Sequence, residues 1–207
     1  MLPTLPFHTA YSINRQNQNK LFHLIDTLFI DYSKLLVIRV DLAFIKEYVP
    51  MITPQYCKSK FTQLRNNMRA NTLFEHYLAY AAKLEYAAEK GWHYHVLFFF
   101  NGQCVHGDIH LSQQIGAYWN TIINRDIGLY HSCNMHKDRY EFSPLGVIDY
   151  ADTEKIQQLK AISAYLCKEQ GGEMEAWRDR AGKSLRSFNT SHYQPKISGL
   201  GRPRRYG

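Results

Sequence analysis

The chain has 207 residues, of which 45% are hydrophobic, and this is enough for one domain with a single buried core. It contains no run of about 18 apolar residues and no signal peptide, so the sequence predicts a soluble, cytoplasmic protein without a membrane partner. Its four cysteines lie far apart with no CxxC pair, which argues against a disulfide framework.

The net charge of +7 is concentrated towards the C-terminus. Residues 171–207 hold eight Lys and Arg against three acidic residues, a net charge of +5, whereas the first 170 residues have a net charge of only +2. A basic tail on a nearly neutral body indicates a polyanionic partner, and a tail that only aids solubility is the alternative. The candidate nucleic-acid-binding residues are Arg186, Lys196, Arg202, Arg204 and Arg205.

In chain order, the sequence begins with a polar arm at 1–19. Apolar spacing and turn residues then predict helices at 20–33, 57–78, 111–124 and 152–170. The last of these would begin at Asp152 or Thr153 and stop at Gly171-Gly172. β-Branched and aromatic runs predict strands at 34–44, 80–88, 93–100, 128–137 and 147–151.

From residue 34 onwards, this order of elements predicts an α+β fold of the split βαβ type, as in ferredoxin-like and RRM-like domains. We expect an antiparallel sheet of about five strands with two helices on one face. The final helix would then lie over the other face. Many unrelated proteins share this architecture, so it indicates no function by itself.

Two histidines stand two residues apart in the most hydrophobic predicted strand, HYHVLFFF. Side chains alternate across a strand, so His93 and His95 would project from the same face. A three-residue turn before this strand would place Glu85 opposite His95 on that face. Two imidazoles and a carboxylate with open positions suit catalysis by Mg²⁺ or Mn²⁺, and the alternative is a pair of ordinary half-buried histidines. Asp41, on the first strand, is expected to have a structural or supporting role, and direct contact with the metal is the alternative.

A tyrosine and a lysine form a second candidate element on the final helix. Spacing of three places Tyr165 and Lys168 on one face of the helix. A phenol with a pKa near 10 needs help to lose its proton, and an ammonium group nearby would supply it. The YxxK pattern also occurs at Tyr80 and Lys83, so position in the chain order has to decide between the two.

A third candidate is a zinc set formed by His131, Cys133 and His136. A strand through 128–137 would put His131 and Cys133 on one face and His136 on the other, which argues against a shared metal.

The strand HYHVLFFF, followed some seventy residues later by YLCK, resembles the HUH endonucleases, which include the initiators of rolling-circle replication. With IRVDLAF, the hairpin LEYAAEKGWHYHVLFFFNG and the basic C-terminus, the chain is most similar to the inovirus (filamentous phage) gene-two-type replication proteins and their prophage relatives. The resemblance implies an N-terminal arm and helix at 1–33, an HUH endonuclease domain at 34–170 and a basic tail at 171–207. Glu169 stands where a second tyrosine would be, which predicts a single-tyrosine enzyme.

The resemblance implies that Tyr165 nicks single-stranded DNA, or an extruded hairpin origin, through a 5′-phosphotyrosyl intermediate. His93, His95 and Glu85 would hold the metal and Lys168 would assist, while the replication helicase and polymerase of a bacterial host would be partners. Two other interpretations remain: a non-catalytic nucleic-acid-binding regulator on the same scaffold, and an HUH transposase or relaxase.

Overall fold

A computed structural model describes residues 12–139, 143–169, 182 and 184–195. The α-helices in these ranges are α1 (Arg15–Asp31), α2 (Pro54–Asn67), α3 (Asp108–Tyr118) and α4 (Thr153–Ser163). The strands are β1 (Lys34–Phe44), β2 (Tyr77–Ala87), β3 (Gly91–Asn101), β4 (Gly128–Ser132), β5 (Gly146–Asp149) and β6 (Phe188–Thr190).

The described strands form one sheet in the order β4-β1-β3-β2-β6, and β5 pairs with the first residues of β1. Every pairing is antiparallel, which confirms the predicted α+β class. The two longest pairings join β3 to β1 and to β2, so β3 lies at the centre of the sheet.

Each face of the sheet is covered by its own pair of helices. On one face, α2 and α3 pack against side chains such as Val40 and Val96. On the other, α1 and α4 cover Val37 and Phe99. This confirms two helices on one face and the last helix on the opposite face, and it adds α1 to the second layer.

Several predicted elements end earlier than expected, and three of them end well before the predicted residue. The helix predicted at 57–78 ends at Asn67, since asparagine is a weak helix former and the aromatic residues from Tyr77 onwards pair with β3 instead. The strand predicted at 128–137 ends at Ser132, and a 3₁₀ segment follows it. The helix predicted at 152–170 begins after its Asp152 cap but is α-helical only to Ser163.

Two elements outside the predicted 34–170 domain pack against its sheet. Helix α1 begins at Arg15, earlier than predicted, and buries Leu21, Ile25 and Leu28 against one face. Strand β6 lies within the segment predicted as a basic tail and pairs with β2. The predicted domain bounds themselves stay a prediction. Among the described helices, none has both the length and the apolar character needed to cross a membrane.

The close contact between α3 and β4 at Gly116 provides a test of this packing. A Cβ atom at Gly116 would overlap the ring of Tyr130, so Gly116→Ala should destabilise the fold by about 1–3 kcal/mol through overpacking. Urea unfolding measures this difference. Gly107→Ala is the matched control, because a Cβ there lies 3.9 Å from His110 Cβ, an ordinary contact. Equal stability of both variants would contradict the packing described.

Candidate metal and tyrosine site

The hairpin of β2 and β3 places three candidate ligands on one face. Residues 88–90 form the expected three-residue turn, and Gly91 follows it at φ +62°, a conformation that glycine adopts without strain. The register differs from the prediction, because Glu85 pairs with His93, and Lys83 is the residue opposite His95. A shift of two residues preserves the face, so Glu85 still lies beside both histidines.

The three side chains form a compact buried cluster. Potential ligand atoms of Glu85, His93 and His95 all lie within 4.8 Å of one another. His95 Nε2 is 3.5 Å from Glu85 Oε2. Glu85 Oε1 is buried and accepts no hydrogen bond from the described residues, which leaves it available to a cation. Two imidazole nitrogens and a carboxylate oxygen fit a divalent metal, whereas the choice of Mg²⁺ or Mn²⁺ stays a prediction.

Both histidines are held in place through their Nδ1 atoms. His95 Nδ1 lies 2.6 Å from Asp41 Oδ1, and His93 Nδ1 lies 2.9 Å from the carbonyl oxygen of Gly91. Asp41 reaches His95 because the two residues pair directly between β1 and β3. With Nδ1 engaged in each ring, Nε2 is the nitrogen left for a metal in His93 and the one that faces Glu85 in His95. Such outer contacts fix the orientation and tautomer of a ligand. The supporting position expected for Asp41 is what the structure shows.

Tyr165 lies against this cluster. Its hydroxyl donates a hydrogen bond to Glu85 Oε2 at 3.0 Å and accepts one from Lys168 Nζ at 2.8 Å. Lys168 Nζ also forms an ion pair with Glu85 Oε2 at 2.8 Å. The ring centroids of Tyr165 and His95 are 5.6 Å apart. The tyrosine therefore lies against Glu85 and His95, and its role as nucleophile stays a prediction.

The backbone that carries Tyr165 is a 3₁₀ turn, Ala164–Cys167, rather than the predicted α-helix. Lys168 already has an extended backbone, and its N–H bonds to the Tyr165 carbonyl at 3.1 Å. The tighter turn eclipses positions i and i+3, which brings the two side chains together. The N-terminal segment fixes this turn, since the Asn14 N–H donates to the Cys167 carbonyl at 2.8 Å.

Two further cations on this face are missing from the sequence-based set. Lys83 is only 2% exposed and donates from Nζ to the Lys168 carbonyl at 2.7 Å. Arg39 Nε lies 3.6 Å from Asp41 Oδ1, and its guanidinium is 5.8 Å from the centre of the Tyr165 ring. Strand alternation could have predicted both positions from the sequence. Lys83 stands two residues before Glu85, and Arg39 stands two residues before Asp41, so each pair lies on one face.

Opposing effects set the charges of the cluster. Burial would raise the pKa of Glu85, but hydrogen bonds with His95 and Lys168 together outweigh it and lower this pKa to about 2. Burial would lower the pKa of His95, but hydrogen bonds to Asp41 and Glu85 raise it above the usual value. For His93, burial lowers the pKa. Glu85 is thus a carboxylate and His93 a neutral imidazole near pH 7, both in the form that binds metal.

The Tyr165 phenol stays protonated in this environment. Burial raises its pKa above the usual value, and the hydrogen bond from Lys168 opposes this rise without reversing it. The neutral hydroxyl can therefore donate to Glu85, as the geometry shows. Removing its proton requires additional positive charge beside the oxygen.

The remaining candidates lie elsewhere. Arg186 is exposed just before β6 and donates from Nε to the Phe188 carbonyl at 3.3 Å. Lys196, Arg202, Arg204 and Arg205, like the Gly171-Gly172 stop, fall outside the described residues.

The alternative zinc set is not brought together. The rings of His131 and His136 stack with centroids 5.1 Å apart, but within the described residues neither they nor Cys133 belong to a group that could hold a metal.

The fold and the site define an α+β domain whose sheet carries a buried Glu-His-His cluster with a tyrosine–lysine pair beside it. Residues 7–191 match the family model of the YagK/YfjJ C-terminal domain, and the chain belongs to this family. No curated protein and no solved structure matches the chain. Membership of this family and the cluster are together compatible with a metal-dependent nuclease.

Metal binding by the histidine pair can be measured directly. We expect His93→Ala/His95→Ala to abolish Mn²⁺ binding in isothermal titration calorimetry, because only one of three protein ligands remains. His131→Ala/His136→Ala is the matched control, since it removes two neighbouring imidazoles outside the cluster. Mn²⁺ affinity that survives in the first variant would show that these histidines do not bind the ion.

Asp41 should control metal affinity through His95. We expect Asp41→Asn to weaken Mn²⁺ binding by about tenfold or more, as for other partners that orient a histidine ligand. The same titration measures the loss, and thermal unfolding shows whether the fold is retained. A variant with normal Mn²⁺ affinity would limit Asp41 to a role in stability.

Proposed function

We propose that this protein is a metal-dependent endonuclease that nicks and rejoins single-stranded DNA through a covalent bond to Tyr165. One observation carries the proposal: the Tyr165 hydroxyl is hydrogen-bonded to both Glu85 and Lys168, at the edge of the Glu-His-His cluster. A tyrosine in direct contact with a candidate metal ligand is well placed to attack a phosphate that the metal holds.

The bound cation would polarise the scissile phosphate and neutralise part of its charge. Lys168 Nζ already donates to the Tyr165 oxygen, so it can stabilise the phenolate that forms as the proton leaves. Glu85 Oε2 accepts the phenol hydrogen bond and so orients the hydroxyl, and the phenol proton would be transferred to solvent. Arg39 adds a further positive charge near the tyrosine ring.

The reaction exchanges one phosphoester bond for another. The Tyr165 oxygen forms a bond to phosphorus while the bond from phosphorus to the 3′ oxygen of the preceding nucleotide breaks. The phenol proton is lost, and the 3′ oxygen gains a proton to become a free hydroxyl. Because the phosphotyrosyl bond retains the energy of the original ester, a 3′-hydroxyl can later reverse the step without ATP.

Single-stranded DNA, or a hairpin extruded at an origin, is the proposed substrate. The scissile phosphate has to reach both the cluster and Tyr165, which a strand held in a duplex cannot readily do. The cations predicted near the C-terminus would contribute affinity through phosphate contacts. The resemblance to inovirus replication proteins favours a role in starting rolling-circle replication, with a bacterial host's helicase and polymerase as partners.

The decisive test uses Tyr165→Phe, which removes only one oxygen atom. With labelled single-stranded DNA and Mn²⁺, we expect wild-type protein to form a covalent adduct on denaturing gels and Tyr165→Phe to form none. Lys168→Ala should slow adduct formation by about a hundredfold, the usual effect of losing one donor that stabilises developing charge. Tyr48→Phe is the control, since Tyr48 is exposed and the change likewise removes one phenol oxygen.

Each outcome distinguishes the alternatives. Adduct formation by Tyr165→Phe would mean that another residue is the nucleophile. DNA binding by wild-type protein without any adduct would favour the non-catalytic regulator. Efficient transfer of the cleaved end to a second strand, rather than rejoining at the original site, would favour a transposase or relaxase.

A further inference from the structure

A pocket lies at the edge of the sheet, on the face opposite the Glu-His-His cluster. Its volume is about 490 Å³. Helix α2 and the turn after it form one wall, and strand β2 with the residues that follow β6 forms the other. The lining includes Arg65, Arg69, Tyr77, Tyr80, Ser191 and His192.

The charge of this pocket is positive. Arg65 and Arg69 line it, and none of its described lining residues is acidic. Within the described part of the chain, no carboxylate forms an ion pair with either arginine. Arg186 lies close enough to act electrostatically on Tyr80, from the outer side of the same edge. A concave surface with unneutralised guanidinium groups fits an anion, and phosphate in particular.

Several polar groups of the pocket are held in fixed positions by hydrogen bonds. Ser191 Oγ accepts the Tyr80 backbone N–H at 2.9 Å and lies 2.7 Å from the Tyr77 hydroxyl. The Arg65 guanidinium stands over the Tyr80 ring at 5.6 Å. His192 is exposed and also lines the pocket. Two arginines beside one exposed imidazole are a combination found on surfaces that bind single-stranded nucleic acid.

Strand β2 connects this pocket to the candidate active site. Tyr80 and Glu85 lie five residues apart on β2, a distance of about 17 Å along an extended strand, and their side chains project from opposite faces. Among the described strands, only the short β6 lies beyond β2 at this edge. A flexible single strand could therefore pass around β6 and contact both places, whereas a stiff duplex could not follow that path.

We propose that this pocket binds a nucleotide of single-stranded DNA away from the scissile phosphate. Arg65 and Arg69 hold its phosphate, and His192 stacks on its base. The choice of DNA as the ligand rests on the proposed function, whereas the site itself is defined by the cavity and its charges. The pocket would thereby determine where along the strand the scissile phosphate lies.

Binding of a fluorescein-labelled, mixed-sequence single strand of about 30 nucleotides tests the proposal, with full-length protein in EDTA to prevent nicking. Fluorescence anisotropy should show about a tenfold or greater loss of affinity for Arg65→Gln/Arg69→Gln. The slope of log K against log salt should become shallower by about 1.4, the value for two lost phosphate contacts on a single strand. His192→Ala should weaken binding about fivefold with an unchanged slope, because stacking carries no counterion release.

The control is Lys46→Gln/Arg125→Asn, which removes the same charge near β4, at the other edge of the sheet. Asparagine suits position 125, where φ is +51°. We expect this control to bind as wild type does. Arg69→Gln alone, at an exposed position, gives a second test that does not disturb the Arg65–Tyr80 contact.

Four outcomes separate this proposal from the proposed function. Selective loss of affinity in the arginine variant, with adduct still formed at saturating DNA, supports both. The same loss of affinity in the arginine variant, when the wild type forms no adduct, supports the pocket alone. Equal affinity and salt slope in the arginine variant, its control and the wild type overturn the pocket, and adduct formation then leaves the proposed function standing. Absence of DNA binding by the wild type overturns both.

Discussion

The buried carboxylate of Glu85 is the interaction on which the candidate site depends. A buried carboxylate is costly unless it is paired, and the Oε2 atom is shared among Tyr165, Lys168 and His95. These contacts join the central hairpin to the turn after α4, so that one side chain positions both the ligands and the tyrosine. Oε1 is the atom of this carboxylate left for a cation. Oε2 thus holds the side chains of the site together, and Oε1 is available to bind a metal.

The position of the site follows from how α1 and α4 cover the sheet. Along β1 and β3, the face beneath these helices is apolar at one end, with Val37 and Phe99, and polar at the other, with Asp41 and His95. Helix α4 ends and the 3₁₀ turn begins beside this polar half. The 3₁₀ turn therefore places a tyrosine there rather than another apolar side chain. The same layer therefore provides the stability of the core and the placement of the reactive group.

Much of this arrangement could be predicted because it depends on local pattern. Strand alternation puts His93 and His95 on one face whatever the tertiary structure, and a turn of the right length adds Glu85 even though the assumed register was two residues out. The 3₁₀ turn at Tyr165 could not be read from the sequence, because it depends on contacts with Asn14 and Lys83, which are distant in the chain. Strand β6 was missed for a similar reason, since three residues carry too little pattern and gain their structure from the edge of β2.

The balance of charge on the polar half of this face is compatible with the phosphodiester substrate proposed above. Among the described residues, Arg39, Lys83 and Lys168 stand against Asp41 and Glu85, so the site has a slight positive excess when the histidines are neutral. A divalent cation bound at the cluster would add two positive charges to that excess. A buried surplus of positive charge is unfavourable without a counter-charge. A phosphate would supply it, and in the proposed reaction the additional negative charge that develops as Tyr165 attacks would be stabilised more strongly still. Under that proposal, the charge of the site complements the charge of the reacting phosphate.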